Sequence, residues 1–222
     1  MNEIILDTET TGLSPEKGDR IIEIACIETQ DLIPTKRIFY KLINPEREVS
    51  EDAFKIHGYN YEKLKNEKKF KEISDEFLEF IKNKKLIIHN APFDISFLNY
   101  ELKKIGKPTI DKKNVIDTLE IAREKFPGTS NSLDNLCKRF GVDISKRKKH
   151  NALLDCQLLR DVYINLIDQK EPTLSLNSET TNQVKDQLSQ SKDYFKFVLK
   201  PTQDEIEKHK KFIKEEMKKN YF

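Results

Sequence analysis

The chain has 222 residues, enough for one catalytic-sized domain plus an appendage, and its 36% hydrophobic residues can still fill a sizeable core. No apolar run approaches the roughly 20 residues of a membrane span, and no signal peptide opens the sequence. Three cysteines without a CxxC pair exclude a disulfide scaffold and a zinc ribbon and predict a reducing, cytoplasmic setting, while a net charge of +2 excludes attachment to nucleic acid by global charge alone.

Residues 3–7 and 20–29 are β-branched runs separated by turn residues, and 37–43 is a third. Their closeness in sequence predicts an antiparallel meander. The run LIIH (86–89) is too short for a helix and reads as a buried strand. Pro92 suits the first turn of a helix that runs to about Ile105 and stops at Gly106. Residues 113–117 read as another strand. Asp117 and Glu120 then form a capping box for a helix over 118–125, and Ser132 caps a helix to about Phe140, closed by Gly141. A last helix starts near Asn151, with Leu154, Leu158, Val162 and Leu166 as one apolar stripe. The order βββαβαβαα, with strands mixed in direction, predicts an α/β domain over 1–168. Residues 169–192, rich in Ser, Thr, Asn, Gln and Lys, read as a flexible linker. Beyond it, 194–199 reads as a strand or extended docking segment. Thr202 and Glu205 make a second capping box, followed by a thin stripe of Ile206, Ile213 and Met217 that suits docking on another surface.

Four carboxylates stand at positions that call for an explanation. Asp7 and Glu9 lie two apart at a strand end, so both face one side, and like charges there either call for a cation or are simply solvated at the strand end. Asp94 precedes Phe97 and Leu98 by three and four residues and therefore faces inward, although a structural cap is the simpler alternative. Asp155 precedes Leu159 and Val162 and leans the same way. His150, five residues earlier, swings toward the carboxylates if it sits before the helix. Lys146, Arg147, Lys148 and Lys149 form a basic segment that suits a phosphate backbone or, as for most charge runs, a solvated loop. Converging carboxylates without a cysteine ligand select hard divalent ions, Mg²⁺ or Mn²⁺, and two ions sharing four carboxylates are the arrangement that clamps a phosphodiester. An imidazole beside them is matched to taking a proton from water. The chemistry so read is metal-assisted phosphodiester hydrolysis.

DTETTGL (7–13), HNAPFD (89–94) and HNALLD (150–155) resemble the three motifs of the DEDDh 3′→5′ exonucleases. AFKIHG (53–58), FPGTSNSLDNLC (126–137) and SKR (145–147) look in addition like the proofreading, epsilon-type exonuclease subunits of bacterial DNA polymerase III. The resemblance implies a ribonuclease-H-like mixed five-stranded sheet flanked by helices. It implies that Asp7, Glu9, Asp94 and Asp155 hold two metal ions and that His150 is the general base. Thr10, Leu13, Asp52, His57 and Phe93 fall where the family contacts the substrate's 3′ end, and Phe93 offers a stacking surface or simply packs in the core. His89 and Asn90 read as loop-shaping residues. Two departures stand out: Asn151 replaces the usual glycine after the histidine, and Asp52 replaces a usual glutamate. The implied function is proofreading of DNA 3′ ends with release of 5′-monophosphates. The implied partner is the polymerase catalytic (alpha) subunit, docked through 193–222. EPTLSL (171–176), with Leu174 and Leu176, looks loosely like a sliding-clamp-binding peptide, though Glu171 departs from it and a generic linker fits as well. A small theta-like subunit is a further partner the resemblance suggests. Two alternatives stay open, an exonuclease of the same family acting on RNA or short oligonucleotides and a mainly structural polymerase subunit.

Overall fold

The first apolar run becomes the middle strand of a sheet. In the computed structural model, which describes residues 2–145, 147, 149–167 and 201–216, β1 spans Asn2–Thr10. It pairs antiparallel with β2 (Ile21–Gln30), which pairs antiparallel with β3 (Ile33–Leu42). On its other side β4 (Lys85–Ile88) runs parallel to β1, and β5 (Val115–Asp117) parallel to β4. The sheet order is β3-β2-β1-β4-β5, mixed in direction as expected.

Alternation along β1 and β2 divides the core. Ile4, Leu6, Ile24 and Cys26 pack against Phe70, Ile73 and Phe77 of α3 (Phe70–Ile81) and Phe97, Leu98 and Leu102 of α4 (Ala91–Lys104). Ile5, Ala25, Ile27 and Ile87 face the opposite way, onto Ala152, Cys156, Leu159 and Tyr163 of α7 (Ala152–Leu166). The stripe Leu158–Val162–Leu166 meets α5 (Thr118–Lys125) and α6 (Leu133–Phe140) instead. Helix α7 thus carries two apolar faces where the sequence pattern showed one. All three cysteines are buried and free.

Three helices join β3 to β4: α1 (Glu51–His57), α2 (Tyr61–Leu64) and α3, where the expected order holds one. Gly58 (φ 77°) ends α1 and the Asn60 side chain starts α2, so each short helix is bounded by its own cap. β3 begins four residues before the expected run. The β2–β3 turn places Asp31 and Leu32 at positive φ (51° and 67°), a geometry that usually advertises itself through glycine or asparagine.

The chain divides into two units, Met1–Pro172 and Thr173–Phe222. In the second, α8 (Gln203–Glu216) opens on the expected capping box: Thr202 N–H donates to Glu205 Oε2 at 2.7 Å and Glu205 N–H to Thr202 Oγ1 at 3.3 Å. Phe212 is exposed and Ile206 half-buried. The expected linker 169–192, the clamp-like 171–176, the segment 194–199, and the side chains of Ile213 and Met217 lie outside the described residues. Among the described residues no helix is long and apolar enough to cross a membrane.

Candidate active site

Parallel pairing of β1 with β4 brings the C-terminal ends of both strands to one edge of the sheet. β1 continues past its last partner in β4 and carries Asp7 and Glu9 there. Asp94 lies in the first turn of α4, which follows β4, and Asp155 lies in the first turn of α7, which packs across β1 and β2. The four carboxylates, His150, Leu13 and Phe93 line one cleft of about 760 Å³. Its far wall includes Arg123, Ser130 and Ser132. Among the described residues, one ligand atom each from Glu9, His150 and Asp155 lies within 4.8 Å of the other two.

Asp94, Asp155 and Glu9 are 3%, 3% and 8% exposed, so these carboxylates are held away from water. Asp94 is not a helix cap. Its Oδ1 accepts the Thr8 backbone N–H at 3.0 Å and the Thr8 hydroxyl at 2.6 Å. Burial pushes its carboxyl up to about 7, against the opposing pull of those Thr8 bonds. Burial, then the charges of Asp155, Glu23 and Asp94, push Glu9 up to about 8. Asp7 is raised well above the usual carboxylate range by burial, then by Asp94, Glu9 and Asp155. Buried acids that repel one another this way retain protons until a cation relieves them. The donor set, oxygen-only carboxylates with an imidazole beside them, fits hard divalent ions.

Two residues in this site were not singled out by sequence. Arg147, read as part of a basic run, turns inward with a side chain 6% exposed. Its Nε and Nη2 bond Asp155 Oδ1 and Oδ2 at 2.6 and 2.7 Å, Nη2 lies 3.0 Å from His150 Nδ1, and Nη1 bonds Asp134. Glu23 is fully buried on β2, and burial is the main force raising its carboxyl. It accepts Asn151 Nδ2 at 2.6 Å, Ala152 N–H at 3.2 Å and Tyr59 OH at 3.3 Å. A glutamate inside the apolar run RIIEIACIET is the signal that marks it.

Asn151 is therefore an anchor. Its φ of −152° needs no glycine, and its Oδ1 caps α7 by accepting Leu154 N–H at 3.2 Å. The neighbouring His150 N–H donates to Ile56 O at 3.1 Å, and Lys149 Nζ sits 5.1 Å over the Phe54 ring. The histidine loop is thus tied to α1 and β2. Asn151→Ala removes the cap and one partner of Glu23, and is expected to cost about 1 kcal/mol or more in urea unfolding; unchanged stability would show that neither bond matters.

The other expected contacts divide. Leu13 is 83% exposed at the cleft mouth. Its loop is held by Asp19, which accepts the Thr11 hydroxyl and Ser14 N–H; a Cβ on Gly12 would overlap that carboxylate and force Asp19 from these bonds. Phe93 is half-buried, its ring 5.0 Å from Phe97, with one side on the cleft. Thr10, Asp52 and His57 are not among the cleft-lining residues. Thr10 is buried and donates to Gly12 O at 2.6 Å. Asp52 is exposed beside Lys55. His57 Nδ1 accepts Tyr59 N–H at 3.0 Å, so Nε2–H donates to Thr10 O at 3.2 Å, and burial lowers its pKa to about 4. His57 braces the Glu9–Thr10 backbone from behind. His89 Nδ1 lies 2.9 Å from Thr118 Oγ1, and Asn90 takes a left-handed conformation (φ 64°) with its N–H on Asp117 Oδ1, so both shape the β4–α4 turn.

The family model for exonucleases of the RNase T type matches residues 4–163. DNA polymerase III subunit epsilon of Rickettsia felis is 47% identical over 219 residues, 96% of each chain. The same subunit of Haemophilus influenzae is 39% identical over 236 residues, covering 98% of this chain and 91% of that one. Among solved structures, exonuclease X in complex with 5′ overhanging duplex DNA superposes with a TM-score of 0.60 at 24% identity, over 75% of this chain and 92% of that one. The nuclease domain of 3′hExo, a DEDDh family member, bound to rAMP, gives 0.65 at 16% identity, over 76% and 92%. The shared fold is the ribonuclease-H-like mixed sheet.

Proposed function

We propose, for a chain that belongs to the exonuclease (RNase T) family, that it is the 3′→5′ proofreading exonuclease of a bacterial DNA polymerase III, removing mispaired 3′-terminal nucleotides as 5′-monophosphates. The observation that carries this reading is the meeting of four mutually repelling carboxylates, three buried and Asp7 half-buried, from three separate segments in one open cleft. Near full-length identity of 39–47% to epsilon subunits supports DNA and polymerase III as its setting.

Asp7, Glu9, Asp94 and Asp155 would hold two divalent cations, Mg²⁺ or Mn²⁺, which when bound stabilise the attacking and leaving oxygens of the phosphodiester. His150 accepts the proton of the attacking water. Thr8 fixes Asp94, and Glu23 with Asn151 fixes the loop that carries His150. Leu13 and Phe93 offer apolar surface to the terminal base. Thr10 and His57 brace the backbone beside Glu9 and Gly12 from outside the lining, and Asp52, exposed beside Lys55, would meet the substrate only beyond it. A mispaired terminus costs less to unpair, so frayed ends enter first.

The domain roles follow: 1–168 for hydrolysis, 169–192 as tether and 193–222 as the segment docking on the polymerase alpha subunit, which supplies effective concentration in place of charge. The exposed Phe212 on α8 supports docking. The sliding clamp through 171–176 and a theta-like subunit are further candidate partners, and the cytoplasm is the expected compartment.

The test is digestion of 3′-mismatched and matched primer–templates, and of the same sequences as RNA, with Mg²⁺, Mn²⁺ or chelator. Faster loss of the mismatched DNA terminus, none of it in chelator, is expected. A strong RNA preference would favour the oligoribonucleotide alternative, and no hydrolysis at all the structural one. Deleting 193–222 is expected to abolish co-elution with the polymerase catalytic subunit while sparing hydrolysis; retained co-elution would remove the docking assignment.

A further inference from the structure

The guanidinium of Arg147 does three things at once. It takes both oxygens of Asp155, it donates to His150 Nδ1, and it reaches a second carboxylate, Asp134, in the first turn of α6. Asp134 does not line the cleft and its side chain is 46% exposed. We propose that Arg147 competes with divalent cations for Asp155, serving as a resident counter-ion that keeps hold of Asp134 when cations take Asp155.

This rests on the proposed function, in which Asp155 is a cation ligand. The guanidinium fork places one N–H on each Asp155 oxygen, and its Nη2 also sits 3.0 Å from His150 Nδ1. In that arrangement the Asp155 oxygens facing the guanidinium are already bonded. Hydrolysis then requires Arg147 to give up both contacts. The second carboxylate makes this feasible. A guanidinium so deeply buried is costly to strand, and Asp134 keeps it paired after Asp155 is released. A divalent ion on Asp155 repels the guanidinium, so the two occupants are antagonists. Arg147 is thus a positioning residue whose removal tightens, rather than loosens, cation binding.

The experiment measures Mn²⁺ affinity by titration calorimetry or electron paramagnetic resonance on the full chain, with Tm in chelator and in Mn²⁺. Arg147→Gln is expected to bind Mn²⁺ roughly tenfold more tightly, because a neutral amide no longer competes as a charge for the Asp155 oxygens. Its Tm in chelator falls, and Mn²⁺ raises that Tm by more than in the unmodified chain. Arg147→Lys, with the charge but not the fork, falls between. Asp134→Asn shifts affinity the other way, because the guanidinium loses its second anchor. Equal or weaker Mn²⁺ binding by Arg147→Gln overturns the proposal. Should that variant not fold, equal or tighter binding by Asp134→Asn does the same. An unmodified chain that binds no Mn²⁺ would instead overturn the reading of the cleft as a cation site.

Discussion

Asp7→Asn is expected to abolish hydrolysis and, in chelator, to raise the melting temperature. The loss of rate should be about 10³-fold or more, the scale seen when an electrostatic stabiliser is removed from a reacting centre. The gain in stability follows from the same side chain. Asp7 is half-buried and faces Asp94, Glu9 and Asp155, all of which raise its carboxyl. An isosteric amide ends that repulsion without opening a cavity. The gain should be small near pH 6, where Glu9 and Asp94 hold protons, and larger near pH 8.5, reaching about 1–2 kcal/mol, or roughly 2–8 °C for a domain of this size. Asp155→Asn should do the opposite, since it leaves Arg147 half-paired. Paired rate and melting measurements on both variants check this. An Asp7→Asn protein that melts below the unmodified chain at pH 8.5 would show that Asp7 stabilises the fold by contacts rather than burdening it with charge.

Opposite signs at Asp7 and Asp155 bear on what the sequence could reveal. Carboxylates required by the chemistry are legible because four acids at helical or strand spacing to apolar residues point one way together, although a cap or a solvated strand end would explain any one of them alone. Helix starts are legible too, as the Asp117 cap of α5 and the Ser132 cap of α6 land where the pattern puts them. What compensates them is harder to see. Arg147 hides in a lysine-rich run, and only its being one of seven arginines in a chain with 40 basic residues marks it. A guanidinium can fork onto a carboxylate where a lysine cannot. Glu23 was visible as a charge in an apolar strand, but its partners Asn151 and Tyr59 come from distant segments that no local pattern connects. Asn151 read as a departure from glycine and proves to be a cap with a second bond. The α1–α2 region was missed because helices of seven and four residues are too short for periodicity to register. His57 shows the converse: a motif position marked it for substrate, while its ring is bonded to backbone on both nitrogens.

The stability of the protein in chelator is expected to fall as pH rises from about 5 to about 8.5, and divalent ions to reverse the fall. Glu9 is raised from 4.5 to about 8 and Asp94 from 3.8 to about 7. Between those limits the folded chain holds protons that the unfolded chain has lost, so the slope of unfolding free energy with pH is negative. The contribution is complete below about pH 4 and gone once pH passes the folded values. Carboxyls lowered by lysine partners, Glu28 beside Lys84 and Glu46 beside Lys69, act oppositely and erode stability only at acid pH, which places the maximum near pH 5. The fall should amount to on the order of 2–4 kcal/mol across the window. Cation binding must expel the retained protons, so Mn²⁺ added to lightly buffered protein near pH 7 should release acid, and its affinity should climb between pH 6 and 8. Urea unfolding at pH 5.5, 7 and 8.5, with chelator and with Mn²⁺, reads both effects. Flat or rising stability in chelator would mean that these carboxyls ionise freely when folded, and the electrostatic strain assigned to the cleft would then not exist.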